Sequence, residues 1–177
     1  MKITARWLKS KGSCISYEEN MRVEKEFNGD IFKIVKYLIR EERFSDANWL
    51  ITRYMNKKQC VRYAVYSARL ILPIFENKYP DDNRPRKSIE AAENYIKNPC
   101  KKTKDICIKA ADAAYSAYAD SSYASSDYAA YAAYVSAYSA YVDYAYYAYV
   151  DYAAYASSDY TKILKNGLSI LKTDGEI

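Results

Sequence analysis

A stretch of 51 residues, 110–160, is written with five residue types: 18 Ala, 15 Tyr, 9 Ser, 6 Asp and 3 Val. No feature constrains the chain more. Alanine is the strongest helix former and nothing between Ala110 and Thr161 is Gly or Pro, so helix is the expected state. A heptad register puts Tyr131, Tyr134, Tyr138, Tyr141, Ala145, Ala148, Tyr152 and Tyr155 on one seam. A second seam follows Tyr128, Ala132, Val135, Ser139, Val142, Tyr146 and Tyr149, so rings stand on more than one side. Unbroken from Thr103 to Leu164, such a helix is about 90 Å long at roughly 1.5 Å per residue, too long for a compact protein of this mass. We expect it to turn near Ser121-Ser122 or Ser125-Ser126 and the chain to form a homo-oligomer. Asp127-Tyr128-Ala129-Ala130-Tyr131 reappears as Asp151-Tyr152-Ala153-Ala154-Tyr155, which marks the tract as an expanded simple repeat.

The preceding residues also read as helices. Asp30 caps a run in which Ile31, Ile34, Val35, Leu38 and Ile39 form one apolar stripe. Ser45 or Asp46 is the expected cap of a short helix holding Trp49, Leu50 and Tyr54. A further helix from about Lys57 carries Val61, Ala64, Val65, Ala68 and Leu72, and Pro73 is expected to kink or end it. Asp82 or Asn83, with Pro85 in the first turn, starts the next helix, and Asn98-Pro99 stops it. The following helix is expected from about Thr103 with Ile106, Cys107 and Ala110 on its apolar side. Ile163, Leu164, Leu168 and Leu171 around Gly167 form a last packing helix. The expected fold is all-α: a helical bundle with a long Ala/Tyr-rich helix or helical hairpin, organised as a single domain over 1–177. Within it, 1–109 is a basic helical portion, 110–160 the low-complexity helix, and 161–177 a short packing helix and tail.

Charge is segregated along the chain. Residues 1–109 hold 24 Lys+Arg and 14 Asp+Glu; residues 110–160 hold six Asp and no cation; the whole chain is +5. With no histidine, imidazole-dependent hydrolases and the common zinc enzymes are excluded. No GxGxxG or GxxxxGK[ST] occurs among the four glycines, so no dinucleotide or P-loop site can be drawn. Cys14, Cys60, Cys100 and Cys107 form no CxxC pair and read as reduced thiols, with Cys107 buried. No disulfide, metal or other cofactor is expected. The first residues lack the apolar run of a signal peptide and no later run suits a membrane span, so an intracellular, cytoplasmic location is expected. Glu41-Glu42, Glu90, Glu93 and Asp81-Asp82 read as solvated faces and caps, and no enzyme activity is expected.

Two features point toward binding. Arg84, Arg86 and Lys87 crowd the first turn of a helix, where the dipole favours an anion and disfavours cations. They therefore meet a counter-charge: Asp81 and Asp82, an acidic face of the Ala/Tyr helix, or a phosphate-bearing ligand. Arg62 and Arg69, seven apart, extend this patch, and Tyr63 and Tyr66 flank it as rings on which a base can stack. Most of the 22 tyrosines fill space between helices. The six aspartates of the tract repel phosphates and make nucleic acid a poor partner.

The phrase Tyr63-Ala64-Val65-Tyr66-Ser67-Ala68-Arg69 is followed by Leu72-Pro73-Ile74-Phe75-Glu76-Asn77-Lys78-Tyr79-Pro80-Asp81-Asp82-Asn83-Arg84-Pro85-Arg86-Lys87 and an Ala-rich helix. Over about residues 47–160 this resembles the type-five immunity-like protein family of bacteria, phages and prophages. The resemblance implies an all-helical, non-catalytic, intracellular protein that neutralises something, and it highlights Arg84, Pro85 and Arg86. Three readings follow. The first is a phage-type protein that sequesters an anionic nucleotide-like ligand, such as a host immune signalling molecule, in the host cytoplasm. The second is an immunity protein that neutralises a protein toxin by direct binding, and the third a structural helical oligomer. In the tyrosine density of its tract, the chain departs from a plain Ala-rich helix.

Overall fold

A computed structural model of the protein describes residues 2–14, 16–121, 125–142 and 159–173. Among these residues all regular structure is α-helix: α1 Ala5–Ser10, α2 Tyr17–Phe27, α3 Ile31–Arg40, α4 Phe44–Tyr54, α5 Lys57–Lys78, α6 Arg84–Lys97, α7 Lys101–Asp120, α8 Ser125–Tyr141 and α9 Tyr160–Thr173. The all-α expectation holds.

Local chemistry sets most boundaries. Asp30 accepts from the amides of Phe32 (2.9 Å) and Lys33 (3.3 Å), capping α3 as its sequence predicts. Ile31, Ile34, Val35 and Leu38 are buried; removing each such side chain from water stabilises by about 1.5–3 kcal/mol. Helix α4 starts at Phe44, earlier than the expected Ser45 or Asp46 cap. Asp46 lies instead inside its first turn, where a carboxylate suits the dipole, and accepts from Arg43 Nε at 2.7 Å. Helix α5 opens with a capping box in which Asn56 and Gln59 serve each other's backbone amides.

Two further expectations are corrected. Of the two outcomes expected at Pro73, a kink or an end, the end does not occur: α5 continues to Lys78. The Pro73 ring is exposed, so the carbonyl deprived of a donor, that of Arg69, lies toward solvent and the cost is tolerated. Helix α7 begins at Lys101 rather than Thr103, because Thr103 serves its cap by accepting from the Cys100 amide at 3.1 Å. Ile106 is 46% exposed and off the apolar side. The buried stripe is Cys107, Ala111, Ala114 and Ala117, and Ile106 stands one residue, about 100°, around the helix from it.

The chain reverses between α7, which ends at Asp120, and α8, which starts at Ser125, in the region expected at Ser121-Ser122 or Ser125-Ser126; residues 122–124 lie outside the described residues. Helix α8 packs on α5, α6 and α7 together. Its small residues make this possible: Ala129, Ala130, Ala133, Ser136, Ala137 and Ala140 are fully buried, and the Ser136 and Ser139 hydroxyls donate to backbone carbonyls one turn back. Helix α9 packs on α4 and α5, as its apolar pattern predicts. There Gly167 allows a close approach: a Cβ on it would sit 3.0 Å from the Tyr63 ring and 3.1 Å from Ile51, which would have to give by a few tenths of an ångström. The second halves of both tyrosine seams, from Asp143 to Ser158, lie outside the described residues.

Candidate functional site

Arg69, Arg84 and Arg86, three of the arginines singled out by sequence, each have a carboxylate partner. At the start of α6, Arg84 binds Asp82 through Nε and Nη2, at 3.0 and 2.7 Å, and reaches Asp120 at the end of α7 through Nη1 at 2.8 Å. Asp82 also accepts from the Arg84 amide at 3.0 Å, so it supplies the cap that Asn83 does not. These bonds hold the Asp82 carboxyl below, and the Arg84 guanidinium above, their ordinary ranges.

Ten residues back in sequence, Glu76 of α5 takes Arg86 fork-to-fork, at 2.7 Å from Nε and 2.6 Å from Nη2. Two turns further along this antiparallel pair, Arg69 holds Glu93 through two bonds of 2.9 Å, both side chains one-third exposed. The Glu93 hydrogen bonds push the Arg69 guanidinium up. Arg62, half-buried, occupies the preceding heptad position on α5. Lys87 is exposed.

Tyr63 and Tyr66 do not join these arginines. Tyr63 is fully buried against Gly167 of α9. Tyr66 lines an open cleft of about 430 Å³ with Asp159, Thr161, Lys162, Lys165 and Asn166. The Asn166 Oδ1 is buried there and meets no donor. Asp159 caps α9 by accepting from the Lys162 amide at 2.9 Å. The seven sequence candidates therefore divide among three places: the α6 start, the α5–α6 seam, and the α9 side of α5.

A fourth place went unread in the sequence. Along the α7–α8 hairpin, six rings form a continuous chain: Tyr118 meets Tyr131 at 5.2 Å between centroids, and Tyr115 meets Tyr134 at 5.4 Å. Tyr134 then leads to Tyr138 at 5.2 Å and Tyr138 to Tyr141 at 5.0 Å. The heptad reading supplied the α8 members; the α7 partners at 115 and 118, spaced i, i+3, were the available signal for the rest. Burial pushes the Tyr134 and Tyr141 phenols up, with further contributions from neighbouring tyrosines and the Asp112 carboxylate.

All four cysteines are free, Cys107 and Cys60 are buried, and burial pushes Cys107 up to about 11 and Cys60 up to about 12. Among the described residues no cluster suits a metal ion, and no helix is long and apolar enough to cross a membrane.

The sequence pattern of the family described as Imm-5 like putative immunity protein matches residues 50–169, about two-thirds of the chain. The chain belongs to that family. The matched span takes in α5, α6, α7 and α8 whole, with the Arg84-Pro85-Arg86 start of α6 and the Gly167 contact of α9. In this immunity-family protein, α1 to α3 and most of α4 lie outside the match. No curated protein and no solved structure matches the chain.

Proposed function

We propose that the protein is a non-catalytic immunity protein that neutralises a protein toxin by direct, stoichiometric binding. One observation carries this choice over capture of a small anion: Arg69, Arg84 and Arg86 are each locked fork-to-fork on a carboxylate of their own chain. A phosphate entering there gains one set of charge-assisted bonds only by breaking another, so the exchange yields little net binding. Protein contact needs no such displacement, and membership of an immunity family supports it.

The test is coexpression with each protein encoded beside its gene. Rescue of growth from one toxic product, with a stoichiometric complex in native mass spectrometry, is expected. Absence of both rescue and complex for all of them overturns the reading.

A second reading, sequestration of an anionic nucleotide-like ligand such as a phage protein directs against a host signal, draws on the α9 cleft. Lys162 and Lys165 offer positive charge, Tyr66 a ring, and the buried Asn166 Oδ1 an acceptor awaiting a donor. Native mass spectrometry after incubation with cyclic nucleotides and ADP-ribose derivatives decides it. A retained mass released unchanged on denaturation, and lost in Lys165→Ala, is the required result. The same spectra count subunits and so test the proposed homo-oligomer.

A further inference from the structure

The outer side of the α7–α8 hairpin combines aromatic surface with an exposed carboxylate. Ile108, Asp112 and Tyr115 follow one another at i, i+4 and i+7 on α7, which puts them on one face, and all three are exposed, Tyr115 to 50%. Tyr115 leans on Tyr134, whose ring continues to Tyr138, so the exposed face runs onto α8 as a row of half-buried phenols. Asp112 lies close enough to act electrostatically on Tyr134 and Tyr141. Unlike Asp82, Asp120, Glu76 and Glu93, it forms no ion pair among the described residues. Lys109, at i−3 on the same helix, is the nearest cation in sequence, and none follows it before Lys162.

From this juxtaposition we infer that the Ile108–Asp112–Tyr115 face of the α7–α8 hairpin docks a protein partner that presents arginine side chains. The inference rests on the immunity reading and names the surface and partner chemistry for it. A tyrosine face attracts a cation through its ring quadrupole, and tyrosine is enriched where interfaces concentrate their binding energy. Arginine fits better than lysine because its planar fork stacks on a ring while donating to a carboxylate and a phenol oxygen together. Nucleic acid is disfavoured by the same aspartates, whose charge repels phosphate. The chain is +5 overall, yet from Asp112 to Asp159 it carries aspartates and no cation.

Short oligoarginine and oligolysine peptides of equal length, titrated at low salt by calorimetry and by tyrosine ring NMR shifts, supply the test. Tighter binding of the arginine peptide is expected, weakened about two- to fivefold by Asp112→Asn and again by Tyr115→Ala, and unchanged in Lys87→Ala. Asp112→Asn keeps shape and helicity, so it reads the face even if Tyr115→Ala perturbs the hairpin. Equal affinity for the two peptides, or binding indifferent to both substitutions, overturns the inference. So does a dimer of the chain alone that Tyr115→Ala dissolves, since a second copy then owns the face. A toxin complex that neither substitution weakens leaves the immunity reading standing and removes this surface from it. Face-dependent arginine binding without any toxin complex does the reverse.

Discussion

The α5–α6 and α7–α8 pairs are both antiparallel hairpins, held by opposite chemistries. Between α5 and α6, ion pairs at heptad spacing, Glu76 with Arg86 and Arg69 with Glu93, dictate which residue faces which. Between α7 and α8 the contacts are phenol on phenol, and one tyrosine substitutes for another. A slip of α8 by seven residues sets Tyr138 where Tyr131 was and Tyr141 where Tyr134 was. Rings therefore supply cohesion without register. Register comes from elsewhere: the Ser88 hydroxyl of α6 donates to the Ala133 carbonyl at 2.9 Å in a fully buried site, and Lys78 of α5 donates to Ser126 at 3.3 Å. A low-complexity helix is thus told its place by the high-complexity helices around it.

Breaking the aromatic seam has the largest expected effect. Tyr134→Ala removes a ring shared by Tyr115, Tyr131 and Tyr138, and thermal or urea unfolding should register a loss of about 2–4 kcal/mol. Tyr134→Phe keeps the ring and should lose under about 1 kcal/mol; equal losses in the two variants would mean the hydroxyl, not stacking, holds the seam. Ser88→Val leaves the helix intact but strips the register contact, at about 1–3 kcal/mol, and should broaden the NMR signals of α8 more than those of α6. Uniform broadening of both would sink the pinning role.

The two hairpins should also fail at opposite ends of the pH scale. Tyr134 and Tyr141 have folded-state pKa values raised above the unfolded value near 10, so their stabilisation is complete below that pH and is lost as pH rises through the folded values. Asp82 is depressed when folded, so its contribution is present above the unfolded value near 3.8 and is lost as pH falls through the folded one. Hydrogen exchange should report α7–α8 opening first in alkali and the α6 start opening first in acid. The reverse order would contradict the assignment of rings to one hairpin and charges to the other. Smallest is the Arg69–Glu93 coupling: a double-mutant cycle should give about 0.2–1 kcal/mol, fading in high salt, because both side chains are one-third exposed.

Much of this was readable from residue spacing. The Asp30 cap, the α3 stripe, the Tyr131/Tyr134/Tyr138/Tyr141 seam and the need for a counter-charge at Arg84 follow from propensity, periodicity and the helix dipole. The helix end allowed at Pro73 and the apolar place given to Ile106 fail because their cost depends on which side of a helix meets solvent, and only packing decides that. The candidate site was gathered too widely for a related reason. Arg62 and Tyr63 are neighbours in sequence, yet one helical step of about 100° sends Tyr63 into the core while Arg62 keeps the heptad face that carries Arg69 and Glu76. The α7 half of the tyrosine chain escaped because it needs the hairpin's register, which the tract's own sequence does not specify.

The notch at Gly167 ties the order of synthesis to the completion of the fold. Ile51 and Tyr63 are made early, but the helix that covers them arrives only after roughly a hundred further residues. At translation rates of about 5–20 residues per second, the apolar edges of α4 and α5 stand open on the ribosome for roughly 5–20 seconds. During that interval the nascent chain presents an adhesive flank to chaperones and to other unfinished copies. Closing it waits for α9, and a single added methyl at residue 167 acts on that step from a distant part of the sequence.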